Sequence, residues 1–182
     1  MSQTSYSGEM QTYYAGMLMG SGHYIKTGNV HLNNGAPRPG LGLAFCNAAR
    51  QATHGRDASQ IVQITEAENF RGILMHEHRQ KNDAGLVVYA DKDTIPVVSK
   101  GQVVVELDPN VIDLTDVEID AMIAGIGLYC VATSTDTTRR GTFTSQSTLA
   151  QDGGVTLDTT GAVKLVSYVT ALRLAIVEVN QP

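Results

Sequence analysis

The stretch from Thr94 to Leu107 most constrains what this chain can fold into. Thr94-Ile95-Pro96-Val97-Val98 and Gln102-Val103-Val104-Val105-Glu106-Leu107 flank Ser99-Lys100-Gly101. β-Branched side chains are stiff about their first torsion and suit a pleated, half-buried surface, so both runs read as strands. The short polar link ending in glycine predicts a β-hairpin between them. Pro96 has no N–H to give to a ladder, so its strand is expected at a sheet edge or at a bulge.

Further strands follow from the same reasoning. They are expected at Leu41–Cys46, Gln60–Ile64, Arg71–His78, from Leu86 to Tyr89, at Ile126–Ala132 and at Leu172–Val179. Residues 51–59 read as a polar loop, and residues 133–161, rich in Thr, Ser, Gly and Asp, as a hairpin or a long surface loop. Val117, Ile119, Met122 and Ile123 are loosely amphipathic behind Thr115 or Asp116 as a cap, which predicts a short helix within 108–124. The fold class is therefore mainly β: a small β-barrel or jelly-roll-like sandwich with at most one or two short helices. With 182 residues, about 70% of the unfolded chain's surface can be buried, so the core needs no metal or disulfide.

Residues 1–38 read differently from the single β-rich domain expected over 39–182. Gly8, Gly16, Gly20, Gly22 and Gly28 interrupt any long helix or strand. Pro37-Arg38-Pro39-Gly40 reads as loop. An apolar-aromatic segment without period is expected to be an extended N-terminal arm. Its Tyr6, Tyr13, Tyr14, Met17, Met19 and Tyr24 are the candidate partner-binding residues.

Composition narrows the function. Charged residues make up 17% and the net charge is −5, whereas an average domain has about 25% charged residues. A protein that coats nucleic acid needs clustered Lys and Arg, so no nucleic-acid partner is expected. No run of about 18 apolar residues exists, and no membrane partner is expected. No basic segment precedes an apolar one near residue 1, so no secretory leader is expected. Cys46 and Cys130 sit in apolar runs and read as buried free thiols of a reducing compartment.

The groupings that suggest chemistry are few. His76-Glu77-His78 on a strand puts both imidazoles on one face, as a cupin-like metal enzyme requires. That pattern wants a glutamate four or five residues after the second histidine, and Arg79-Gln80-Lys81-Asn82-Asp83 lacks one. Glu106, Asp108, Asp113, Asp116, Glu118 and Asp120 lack the spacing and central glycine of a calcium loop, and read as a solvated helix face or an acidic patch. Arg139-Arg140 reads as a basic surface tip. There is no serine elbow, phosphate loop or dinucleotide fingerprint. No catalytic, cofactor or metal residue is assigned.

The order of several segments carries a resemblance. Pro37-Arg38-Pro39-Gly40 leads into an apolar strand, and Phe70-Arg71-Gly72-Ile73 opens another. Tyr89 precedes the turn Asp91-Lys92-Asp93, which leads through Ile95-Pro96-Val97-Val98 and Lys100-Gly101 to Val103-Val104-Val105, and a late strand ends in Ile176-Val177-Glu178-Val179. In this the chain resembles the structural cement, or head decoration, proteins of tailed bacteriophages. The resemblance implies a non-enzymatic structural virion protein without cofactor, assembled in the host cytoplasm. It implies binding to the outer surface of the capsid, where the protein stabilises contacts between major capsid protein subunits. Neighbouring copies of itself, as dimer or trimer, are the other implied partner. Two other readings stay open at this point: the cupin-like enzyme on His76 and His78, and a tail or host-surface binding module.

Overall fold

A computed structural model of the chain describes residues 13–30, 38–46, 52, 58–61, 67–76, 89–108, 125–134, 136–149, 155–169 and 173–181. Their architecture is almost entirely β. The strands are β1 (Leu18–Val30), β2 (Gly42–Cys46), β3 (Ala58–Ile61), β4 (Ala67–Leu74), β5 (Thr94–Glu106), β6 (Tyr129–Thr133), β7 (Phe143–Thr144), β8 (Val155–Leu157), β9 (Val163–Val169) and β10 (Leu174–Asn180). One 3-10 turn, Thr137–Arg139, lies between β6 and β7. The helix expected within 108–124 and the segment 86–88 lie outside the described residues.

Everything is hung on β5. The expected hairpin is instead one continuous strand of 13 residues. On one edge β5 pairs antiparallel with β1, from Asn29↔Thr94 to Leu18↔Val103. Its other edge is shared. β4 takes the early part, at Ile73↔Val98 and Leu74↔Val97. β10 takes the later part, from Asn180↔Lys100 to Leu174↔Glu106. Gly101, with φ +109°, marks an irregularity inside a strand and not a reversal. A turn glycine and a bulge glycine look alike in sequence, and here partners on both edges settle the matter. Pro96 is tolerated because it lies beyond the last register pair with β4, where its carbonyl accepts from Met75 N–H at 3.1 Å.

The pairings β1–β3–β2–β4–β5 return to β1, so this part of the sheet curls into a ring. The β1–β3 link is parallel and short, at Asn29↔Ala58 and Val30↔Ser59. From β5 the sheet also continues outward through β10 to β9. Gln181 closes the fork between the two branches. Its N–H donates to Ser99 carbonyl at 2.9 Å, and its side-chain amide donates to Phe70 carbonyl.

Of the arm expected over 1–38, Leu18–Val30 is a strand of this ring. Its glycines do not prevent this, because Gly20 and Gly22 fall in a bulge and Gly28 sits under Arg71. A Cβ at Gly28 would lie 2.8 Å from the Arg71 guanidinium. Arg71 is itself buried and donates to Thr27 carbonyl at 2.7 Å. Residues 1–12, with Tyr6, lie outside the described residues. β9 was not expected, although Val163-Lys164-Leu165 alternates as a half-buried strand should.

A second layer covers the sheet. β6 is flanked by β7 and β8. Leu128, Cys130, Ala132 and Phe143 meet Val103, Val105, Leu165 and Val177 in one buried cluster. Leu43, Leu74, Tyr89, Ile95 and Val97 form a smaller one. The layers approach closely at Gly42: a Cβ there would stand 2.5 Å from Cys130 Sγ.

Two ion pairs tie this layer to the end of β5, and they correct two sequence readings. Asp108, expected on a solvated or acidic patch, is 1% exposed, and Arg139, expected at a surface tip, is 3% exposed. They pair through Arg139 Nη2 and Asp108 Oδ2 at 2.8 Å and through Nε at 3.1 Å. Glu106 accepts from Arg38 Nε at 2.9 Å, and Arg38 also donates to Thr138 carbonyl at 2.9 Å. Acids and arginines distant in sequence meet because β5 ends beside the 3-10 turn, with Asp108 N–H donating to Phe143 carbonyl at 2.8 Å. Asp113, Asp116, Glu118 and Asp120 lie outside the described residues.

Two stability measurements check this account. Asp108→Ala strands a buried guanidinium, and urea denaturation is expected to show a loss of about 3–5 kcal/mol; Asp108→Leu with Arg139→Met is expected to recover most of it. At Gly72 (φ +146°) a Cβ would stand 2.4 Å from Val98 carbonyl oxygen. Gly72→Ala is expected to cost about 2 kcal/mol or more.

Candidate interaction surface

Of the His76-Glu77-His78 group and the two cysteines, the structure describes the side chains of His76 and Cys130. His76 is half-buried at the end of β4, its N–H donates to Gly16 carbonyl at 2.9 Å, and its ring meets Tyr14 edge-on at 4.8 Å between centroids. Glu77 and His78 lie outside the described residues. Among the described residues no three His, Cys, Asp or Glu side chains gather as metal ligands. Cys130 is a buried free thiol. Desolvation drives its pKa far above the ordinary value, against a smaller lowering by a hydrogen bond with the Gly42 backbone. Cys46 lies on β2, and its side chain is outside the described set.

What the surface offers is apolar and aromatic. Of the six expected partner-binding residues, Tyr13, Met17 and Met19 are half-buried. Tyr14 is 41% exposed, Tyr24 59% and Ile25 41%. Tyr14 sits beside His76, whereas Tyr24 and Ile25 sit far along β1. Tyr6 lies outside the described residues, and among the other five Tyr14 and Tyr24 lie apart on the surface.

The geometry at Tyr24 comes from a large bulge. Met19 pairs with Gln102 and Tyr24 with Lys100, so residues 20–23 face Gly101 alone. Gly20 (φ +73°) and Gly22 (φ +84°) take left-handed backbone conformations there, each with open space where a Cβ would stand. Side chains with a Cβ rarely adopt such φ values. His23 pins the base: its Nε2 lies 2.9 Å from Met19 carbonyl and 3.0 Å from Gln102 carbonyl. Gly101 makes room for it, since a Cβ there would stand 2.6 Å from the imidazole. A depression of about 250 Å³ opens beside the bulge, bounded by Gly20, Gly22, Lys100, Gln102 and Glu178.

Tyr24 is flanked by charge. Lys26 Nζ is 5.8 Å from the ring centroid. Lys100 is the register partner of Tyr24 on β5. Sequence reasoning missed both lysines. Lys26 lies two residues from Tyr24 and was visible in principle, but Lys100 reaches it only through the bulge register.

Two loops are fixed by aspartates. Asp136 Oδ1 accepts from Thr138 N–H at 2.8 Å and from its hydroxyl at 2.6 Å. Asp158 does the same with Thr160 at 3.0 and 2.7 Å. In each case the hydroxyl hydrogen bond, then the backbone one, holds the carboxyl below its ordinary pKa. A lowered folded pKa means that the unfolded chain binds the proton more readily. The stabilisation is thus present above the ordinary aspartate range and is lost as pH falls through the folded value. The gap in urea midpoint between the wild type and Asp158→Ala is expected to be open at pH 7 and to close in acid. For Cys130, peptide mapping after alkylation is expected to find the thiol unmodified in the native protein and modified in denaturant.

Comparison with known proteins follows this geometry. A family model described as structural cement protein (E217 gp24/Pam3 gp6) matches residues 2–180. No curated protein matches. Among solved structures, a chain from "The capsid of Myoviridae Phage XM1" is similar in fold, with a TM-score of 0.62, 16% identity and 98% of each chain covered.

Proposed function

We propose a role that proceeds from membership: this chain belongs to the structural cement protein family, whose part in a phage is structural and not enzymatic, and it binds the outside of the head. There it stabilises contacts between major capsid protein subunits, alone or as a dimer or trimer with neighbouring copies. Neither nucleic acid nor membrane is a partner. The observation that carries this reading is the family match over residues 2–180.

The physical features support it. A surface poor in charge loses little hydration when covered by protein. A curled sheet braced by a second layer keeps its shape under load. Weak contacts repeated over a lattice act at high effective concentration, so no single interface needs to be large. Tyr14 and Tyr24 add exposed aromatic contacts, and Tyr6 adds another.

The test uses undecorated, expanded heads of the encoding phage. The purified protein is expected to co-sediment with them and to raise the temperature at which they release DNA. Heads that neither bind it nor gain stability contradict the proposal. Deleting residues 2–12 is expected to weaken head binding several-fold while leaving the melting temperature unchanged.

A further inference from the structure

We infer that Tyr24, with Lys26 and Lys100 beside it, docks a partner segment that carries a carboxylate next to an apolar side chain, and that the capsid protein supplies this segment. The inference rests on the cement reading and names the surface through which it acts.

Three observations lead to it. First, Tyr24 and Ile25 are both exposed, at 59% and 41%. They lie on either side of a second register irregularity, where Tyr24 pairs with Lys100 and Ile25 with Val98, so two consecutive apolar side chains of β1 stay uncovered at this point. Second, Tyr24 and Lys26 are two apart on β1, and Lys100 is the register partner of Tyr24. Tyr24 and Lys100 therefore face each other across the strand pair, and Lys26 Nζ lies 5.8 Å from the Tyr24 ring centroid. Third, neither lysine has an acidic partner among the described residues, whereas Arg38 and Arg139 are both paired. Glu178 borders the same depression as Lys100 without forming an ion pair.

Charge complementarity identifies the occupant. The chain as a whole is acidic, at −5, yet this site presents two cations around an exposed aromatic. An anchor ring inside a charged rim is the usual anatomy of a binding hot spot. A carboxylate set between the lysines meets both, and its apolar neighbour covers the ring and excludes water from the pair. The depression beside the bulge accepts a second side chain of the same segment.

The experiment measures binding to undecorated heads by the wild type, Lys26→Glu/Lys100→Glu, Tyr24→Ala and Arg173→Glu. Arg173 is exposed at the far end of β10 and controls for charge reversal alone. The double reversal is expected to weaken binding about tenfold or more and to flatten its salt dependence. Tyr24→Ala is expected to weaken binding while keeping the salt dependence, and Arg173→Glu to bind as the wild type does. Melting temperatures within about 2 °C of the wild type show that the variants are folded. If the wild type binds heads and the double reversal binds equally well, the docking surface is refuted and the cement reading stands. If the wild type does not bind heads, the cement reading fails and this inference with it. If the double reversal instead dissociates a homo-oligomer in solution, the occupant is a second copy and the assignment to capsid is overturned.

Discussion

The sharing of one strand edge between two partners sets the rest of this structure. β5 gives one edge wholly to β1 and divides the other between β4 and β10. The division makes two structures from one strand. Early in β5 the sheet curls through β4, β2 and β3 back to β1. Later it continues through β10 to β9 and becomes the floor under the β6–β8 layer. A fork leaves backbone groups without ladder partners, and buried groups of that kind cost about 1–3 kcal/mol each. Ser99 and Gln181 answer that cost. Ser99 Oγ donates to Tyr24 carbonyl at 3.2 Å, and Ser99 carbonyl accepts from Gln181.

The same strand ends in the polar part of the interior. Beyond Glu106 the chain reaches Leu107 and Asp108, where two arginines fasten the second layer. A buried ion pair adds little net stability, because desolvation offsets its attraction. Its value here lies in position. Arg139 fits Asp108 in one register only, so the 3-10 turn and β7 are fixed against β5. The apolar cluster of valines alone tolerates sliding, since one valine face resembles another.

How much of this was legible in the sequence depended on whether a signal was local. The strand at Leu41–Cys46 and the last strand were read within two residues of their observed starts, because apolar runs between turn residues report strands directly. The mainly β class followed from them. The hairpin at Lys100-Gly101 was misread because its local signal is that of a turn, and only the pairing with β1 and β10 shows otherwise. Leu18–Val30 was assigned to an arm because its glycines mask a strand whose bulge needs them. The burial of Asp108 and Arg139 was invisible, since each looks like an ordinary surface charge until the fold brings them together. Tyr24 was picked out as sticky surface, but its setting between Lys26 and Lys100 depended on a bulge register that no local pattern reveals.

A forked scaffold carries an uncovered stretch of β1, proposed above as the surface that meets the capsid. Hydrogen exchange, measured residue by residue on the free protein and on the protein bound to heads, tests both halves at once. The account expects the amides of Val97, Val98 and Val103–Val105 to exchange most slowly in both states, with protection gained on binding concentrated between Met19 and Lys26. Fast exchange along β5 in the free protein, or protection gained elsewhere while residues 19–26 stay unchanged, would contradict it.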